Sequence, residues 1–165
     1  MLRLCTLIEE EKWVDNSTTI INCNPDYSSI AVQYINHTLS KLNKNELFPV
    51  INLEMPTPNM SQVWVAYEDN YELYDTYIDK WIKKYLFASH KVLFVQSSVV
   101  RGRNFNKLKL CFKDIIGREN YRLASLYVDS SSLVIPDYYV QKFDKEKDGG
   151  LLFWWENPNN PNWNY

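Results

Sequence analysis

The sequence predicts an α/β protein, with a mainly parallel twisted sheet flanked by helices. Three observations carry this reading. Short apolar runs of strand length alternate with stretches of helical periodicity. The run Lys91 to Val95 (KVLFV) is unbroken and apolar, as in strands covered on both faces of a parallel sheet. No internal repeat or long linker breaks the alternation, and 165 residues suit a single domain.

Each element has its own signal. Ser17 to Asn22 (STTIIN) is a β-branched run and reads as a buried strand. Asn24, Pro25 and Asp26 form a turn and helix start. Ile30, Ala31, Tyr34, Ile35, Leu39 and Leu42 then recur at helical spacing and predict a helix over 27–42. Phe48 to Leu53 (FPVINL) is the second strand. Pro56 and Pro58 make 55–60 a loop, and 63–67 reads as a short strand. Tyr74, Tyr77, Ile78, Trp81, Ile82 and Tyr85 mark an amphipathic helix over 72–86.

After KVLFV, a loop is expected from Gln96 to Arg103. A helix over 104–116 follows, with Phe105, Leu108, Cys111, Phe112 and Ile115 on one face and Gly117 as its stop. Arg122 to Val128 (RLASLYV) is another strand, followed by the polar stretch Asp129 to Ser132. Tyr138 to Phe143 and Leu151 to Trp155 read as short strands around a charged turn, Asp144 to Gly150. The expected organisation is one domain over 1–156, closed by a small C-terminal β/aromatic hood. An irregular Asn/Pro/aromatic tail occupies 157–165.

Composition excludes several classes. Apolar residues make up 45 % and charged residues 23 %, enough to bury a core and too few charges for a disordered chain. A net charge of −2 argues against a general nucleic-acid binder. No apolar run reaches the ~18 residues of a membrane span, and the opening residues turn acidic before a signal-peptide core develops. Cys5, Cys23 and Cys111 are distant and odd in number. With only His37 and His90 beside them they form no zinc pattern, so reduced thiols and a cytoplasmic location are expected. Glycine is the most restrictive count. Only 4 are present, so few loops can wrap a phosphate closely.

Ligands of parallel α/β sheets bind beyond the carboxyl ends of the strands, which directs attention to the loops at 22–28 and 96–103. The second offers Ser97 and Ser98 hydroxyls, Gly102 for close backbone approach, and the forked donors of Arg101 and Arg103 before Asn104 and a helix start. That is the chemistry of an anion cradle. It is equally the composition of an ordinary strand-to-helix connection with solvated arginines.

The stretch from Lys91 to about Leu108 resembles the ribose-phosphate loop of the type I phosphoribosyltransferases, where a strand of type KVL(I/L)VDD enters a TG-containing loop and a helix. Leu123 to Val128 (LASLYV), Pro136 to Tyr139 (PDYY) and Phe153 to Glu156 (FWWE) are similar, in order and spacing, to motifs of the purine-salvage branch. The likeness covers about 91–156 and implies that family's fold. It also implies dimerisation, as a homodimer or with a related chain.

Departures from the family's pattern bear on function. Its acidic pair, which holds ribose hydroxyls and supports Mg²⁺, falls on Gln96 and Ser97, which carry no charge. Its Thr-Gly pair becomes Arg101-Gly102, and a later Thr becomes Asn104. Its glycine-rich pyrophosphate loop is replaced by Asn22-Cys23-Asn24-Pro25-Asp26-Tyr27. A Lys that reads the purine falls on Asp129, and the stacking aromatic on Gly150. Asp129, Asp137, Phe153 and Trp154 remain base-pocket candidates.

The resemblance therefore implies a degenerate relative with no assigned catalytic residue, no required cofactor and no metal site. It would act as a phosphate- or nucleotide-binding or interaction module. Its ligand would be an anionic small molecule (phosphate, nucleotide or phosphosugar) held by Ser97, Ser98, Arg101, Gly102, Arg103 and Asn104. Two alternatives stand beside this reading. One is a divergent active transferase, using Mg²⁺ and carboxylates such as Glu68 or Asp69. The other is an assembly protein that reuses the fold, with Trp154, Trp155, Trp163 and Tyr165 as a contact patch. The acidic run Glu9 to Glu11 and the lysines at 80, 83 and 84 read as solvated faces.

Overall fold

Among the described residues, the β-branched and apolar runs become strands that pair in parallel. The computed structural model describes residues 1–23, 25–44, 46–53 and 91–148. In chain order the elements are α1 (Leu2–Glu10), β1 (Thr18–Asn22), α2 (Pro25–Asn43), β2 (Val50–Asn52) and β3 (Lys91–Val99). Then come α3 (Arg103–Ile116), a 3-10 turn (Arg118–Asn120), β4 (Tyr121–Asp129), β5 (Tyr138–Phe143) and the one-turn helix α4 (Lys145–Asp148). The sheet order is β2-β1-β3-β4-β5. The loop at 55–60, the strand at 63–67, the helix at 72–86, the strand at 151–155, the hood and the tail lie outside the described residues.

Helices cover both faces. On one face, Phe105, Leu108, Phe112 and Ile116 of α3 pack on Val92, Phe94, Tyr121 and Leu123. Phe94 meets Phe112 edge-on at 4.6 Å between centroids and Tyr121 at 6.2 Å, the arrangement that aromatic quadrupoles favour. On the other face, α1 and α2 bury Leu4, Ile8, Ala31, Ile35 and Leu39 against Ile20, Leu93, Val95 and Ala124. Cys5 and Cys23 are free and buried. Burial pushes the Cys5 thiol up to about 11 and raises Cys23 further, so both stay protonated.

Several expectations are corrected. The segment Gln96 to Val99 is strand, not loop: Ser98 pairs with Tyr127 and Val99 with Val128. The nine-residue β4 supplies partners that the local sequence of β3 does not announce. The docked face of α2 runs through Ser28, Ala31, Val32, Ile35 and Leu39, while Ile30, Tyr34 and Leu42 are exposed. Both faces carry apolar residues, and packing against α1 and the sheet selects one of them. Residues 2–10 form a helix that the sequence reading left unassigned. In the charged turn, residues 145–148 close one helical turn, with Asp144 accepting the amides of Glu146 and Lys147. Glu10 and Glu11 are exposed as expected, but Glu11 accepts a hydrogen bond from Tyr138 Oη at 2.8 Å.

Candidate functional site at the carboxyl edge of the sheet

The chain leaves β1 for β2 on one side and returns to β3 on the other. Strand order therefore reverses between β1 and β3, the position where open α/β sheets form a crevice. The groups delivered there are Asn22 from β1, Asn52 from β2, residues 96–99 from β3 and the first turns of α2. Gly102 with the start of α3, and Asp129 from β4, stand further along the same edge.

β1 ends level with Val95, so the Ser97 amide points past its end. The Ser28 hydroxyl of α2 accepts that amide at 2.9 Å. Ser28 and Ser97 are both buried, whereas Gln96 and Ser98 are half-buried. Asn22 Nδ2 donates to Ser29 Oγ at 3.2 Å and to Asn52 Oδ1 at 3.1 Å. Its own Oδ1 is buried with no hydrogen-bond partner among the described residues. A bare buried polar atom of this kind costs about 1–3 kcal/mol.

The sequence reading missed Asn22, Asn52, Ser28 and Ser29 as a group. A signal was present: both β1 and β2 end in Ile-Asn, an amide placed where an apolar strand would otherwise end.

Gly102 caps α3 in the left-handed region, φ 73°, and is buried. A Cβ there would stand 2.5 Å from Ser132 Oγ and 2.8 Å from the Val134 amide nitrogen. The space beside this glycine is thus filled by the chain's own loop after β4. The Arg101 carbonyl accepts the Leu133 amide at 3.3 Å, and Arg101 itself is exposed. Gly102, as the N-cap, makes no side-chain cap bond, so the first amides of α3 have no partner from the cap residue. Arg103 opens α3, and Asn104 follows it. Their side chains, like Phe153 and Trp154, lie outside the described residues.

Asp129 and Asp137 do not meet. Asp129 ends β4 at the carboxyl edge and is buried. Its Oδ1 accepts the Ser131 hydroxyl at 2.6 Å and the Ser131 amide at 2.8 Å, and its Oδ2 accepts the Lys145 amide at 3.1 Å. Asp137 precedes β5 at the opposite end of the sheet, where it accepts the Leu123 amide at 2.7 Å and pairs with Arg118. Parallel register puts the length of β4 between the two carboxylates.

The Ser131 hydroxyl and amide hold the Asp129 carboxyl below its usual value against the opposing effect of burial. A depressed folded-state value means that its stabilising contribution is present above the unfolded value of about 3.9 and is lost as pH falls through the folded value. Urea midpoints of the wild type should therefore fall more steeply below about pH 4 than those of Asp129→Asn, which should be less stable at neutral pH. Parallel pH curves for the two proteins would refute this role.

No group of three or more His, Cys, Asp or Glu among the described residues could hold a metal ion. No helix among them is long and apolar enough to cross a membrane. No protein-family model and no curated protein sequence matches the chain. Solved structures do match. Hypoxanthine-guanine phosphoribosyltransferase from Schistosoma mansoni, in complex with IMP, superposes with a TM-score of 0.52 at 12 % identity, covering 85 % of this chain and 61 % of that one. The chain has a type I phosphoribosyltransferase-like fold.

Purine phosphoribosyltransferase from Pyrococcus horikoshii matches over 86 % of this chain and 81 % of its own, with a TM-score of 0.49 at 13 % identity. The xanthine-guanine-hypoxanthine enzyme of Helicobacter pylori matches over 86 % and 77 %, with a TM-score of 0.47 at 15 % identity. In the phosphoribosyltransferase-like fold of this chain, Gln96 and Ser97 lie within a paired strand at the reversal of strand order. Gly102 lies at the cap of the following helix.

Proposed function

We propose that this chain uses a phosphoribosyltransferase-like fold to bind an anionic small molecule (phosphate, nucleotide or phosphosugar) without ordinary phosphoribosyl transfer. The observation that supports it is the pair Gln96–Ser97 at the reversal of strand order. These positions carry no charge, and the Ser97 amide is already taken by Ser28. Carboxylates there would grip ribose hydroxyls through charge-assisted bonds worth about 1.5–3 kcal/mol each. A Gln and a Ser provide neutral hydrogen bonds and no charge for Mg²⁺, so anion binding should not require the metal.

The anion is assigned to the start of α3, where the positive end of the helix dipole and the first backbone amides lie, in a stretch of sequence that carries Arg101 and Arg103. Ser97 and Ser98 approach the same edge from β3. Dimerisation, with a second copy or a related chain, belongs to the same reading.

A second reading, an active transferase with an unusual base, has in its favour the fold likeness to an enzyme solved with IMP. One assay separates the two. Ribose 5-phosphate 1-pyrophosphate with Mg²⁺ and a panel of purines and pyrimidines should release no pyrophosphate above a no-protein control. Inorganic phosphate or a nucleotide should still raise the melting temperature, with or without Mg²⁺. Sustained pyrophosphate release with any base would establish the second reading instead.

A further inference from the structure

Several of the large apolar side chains exposed among the described residues belong to one region. Ile30 and Tyr34 stand on α2, Leu47 on the link to β2, and Val50 at the start of that strand. On α2 they are part of a stripe. Ile30, Tyr34, His37, Lys41 and Lys44 follow one another at intervals of four, three, four and three residues, and every one of them is exposed. That is the spacing of a coiled-coil seam. The opposite side of the helix is taken up by α1 and the sheet, through Ala31, Val32, Ile35 and Leu39.

The link runs beside this stripe. Asn36 Nδ2 donates to the Phe48 carbonyl, and Asn36 Oδ1 accepts the Phe48 amide, each at 2.9 Å. Val50 pairs with Ile20, a residue of the core beneath α2, so it faces the same side of the sheet as the helix. Leu47 and Val50 thus widen the stripe into a face.

The stripe is unequal along its length. Its first half is Ile30 and Tyr34, and its second half ends in Lys41 and Lys44. Residues 27–44 include no Asp or Glu, and Asp26 belongs to the first turn. A parallel copy would set Lys41 against Lys41 and Lys44 against Lys44. An antiparallel copy gives each half what the other offers. With a two-fold axis beside residues 35 and 36, Ile30 faces Lys41 of the second copy, Tyr34 faces His37, and Lys44 lies over the first turn. Lysine stems cover apolar surface while their ammonium groups reach water or an aromatic face. The helix dipoles then run in opposite directions. The surface is self-complementary, as a two-fold interface requires.

We propose that the exposed face of α2, with Leu47 and Val50, docks a second copy of this chain, joined antiparallel along this stripe. The proposal rests on the dimerisation in the reading above and gives it a partner and a face. The anion is a separate matter, because α3 lies on the other face of the sheet.

Sedimentation velocity of the full chain across micromolar concentrations is the test. The wild type should form a species of twice the chain mass. Ile30→Lys sets like charges together twice and should weaken the dimer by about tenfold or more. Adding Lys41→Glu to that variant should restore it. A wild type that stays monomeric overturns the proposal. So does a dimer indifferent to Ile30→Lys, or one that Lys41→Glu does not rescue. If Ile30→Lys does not fold, cross-linking decides. Tyr34→Cys and His37→Cys chains, mixed and oxidised, should join to each other, and absence of that mixed product overturns the antiparallel seam. Inorganic phosphate should raise the melting temperature of the wild type and of monomeric Ile30→Lys alike. Either reading can thus fail while the other stands.

Discussion

Alanine at position 13 is expected to lower the stability of the fold by about 3–5 kcal/mol, the range for removing a buried Trp side chain. Trp13 is 8 % exposed and fastens the segment after α1 to the amino end of the sheet. Its indole N–H donates to the Glu119 carbonyl at 3.0 Å. Arg122 lies 5.0 Å and Lys91 5.7 Å from the ring centroid, within cation–π range. The Lys91 ammonium also donates to the Trp13 carbonyl at 3.0 Å and pairs with Asp15. Burial of the ring outweighs these contacts, because each is partly solvated and individually small.

Trp13→Phe separates the contributions. It keeps most of the apolar area and loses the N–H bond, so it should cost about 1–2 kcal/mol. Urea unfolding of both variants at one salt concentration measures this. Equal losses for Ala and Phe would show that the hydrogen bond, not packing, fixes the segment.

The second large effect is expected at Gly102, where alanine should cost about 2–5 kcal/mol. Two physical sources add. A left-handed backbone costs a residue with a Cβ about 1–2 kcal/mol, and forcing an extra methyl into a filled space costs about 1–3 kcal/mol. The neighbours decide the second figure. Ser132 Oγ, 2.5 Å from the added Cβ, can rotate away, but the Val134 amide nitrogen at 2.8 Å is backbone and held in its loop. Ser132→Gly combined with Gly102→Ala should therefore recover part of the loss and not all of it. Thermal unfolding without any ligand is the measurement. A Gly102→Ala protein as stable as the wild type would mean that the loop after β4 yields, and that the glycine matters for ligand approach alone.

These two residues show where the sequence is readable. Gly102 could be picked out from its place after a strand and before a helix, together with the scarcity of glycine. Its close neighbour, Ser132, is thirty residues away, and nothing local indicates it. Trp13 carried no motif, and its partners at 91, 119 and 122 come together only through strand pairing. Asp129 and Asp137 looked alike as base-pocket candidates eight residues apart. β4 ends at the first and β5 begins after the second, and parallel strands put those two points at opposite ends of the sheet.

Local periodicity determined most of the elements. Apolar spacing identified β1, α2, α3, β4 and β5, because the sheet and helix repeats are written directly into neighbouring residues. The order of motifs along the chain pointed to the fold, and the neutral residues at 96 and 97 raised the question of lost chemistry. Tertiary structure decided where β3 ends, which face of α2 is buried and which polar groups share the carboxyl edge. Those outcomes depend on non-local pairing. A strand extends as far as its neighbour supplies hydrogen bonds, and Asn22, Ser29 and Asn52 meet only because folding brings β1, α2 and β2 to one edge.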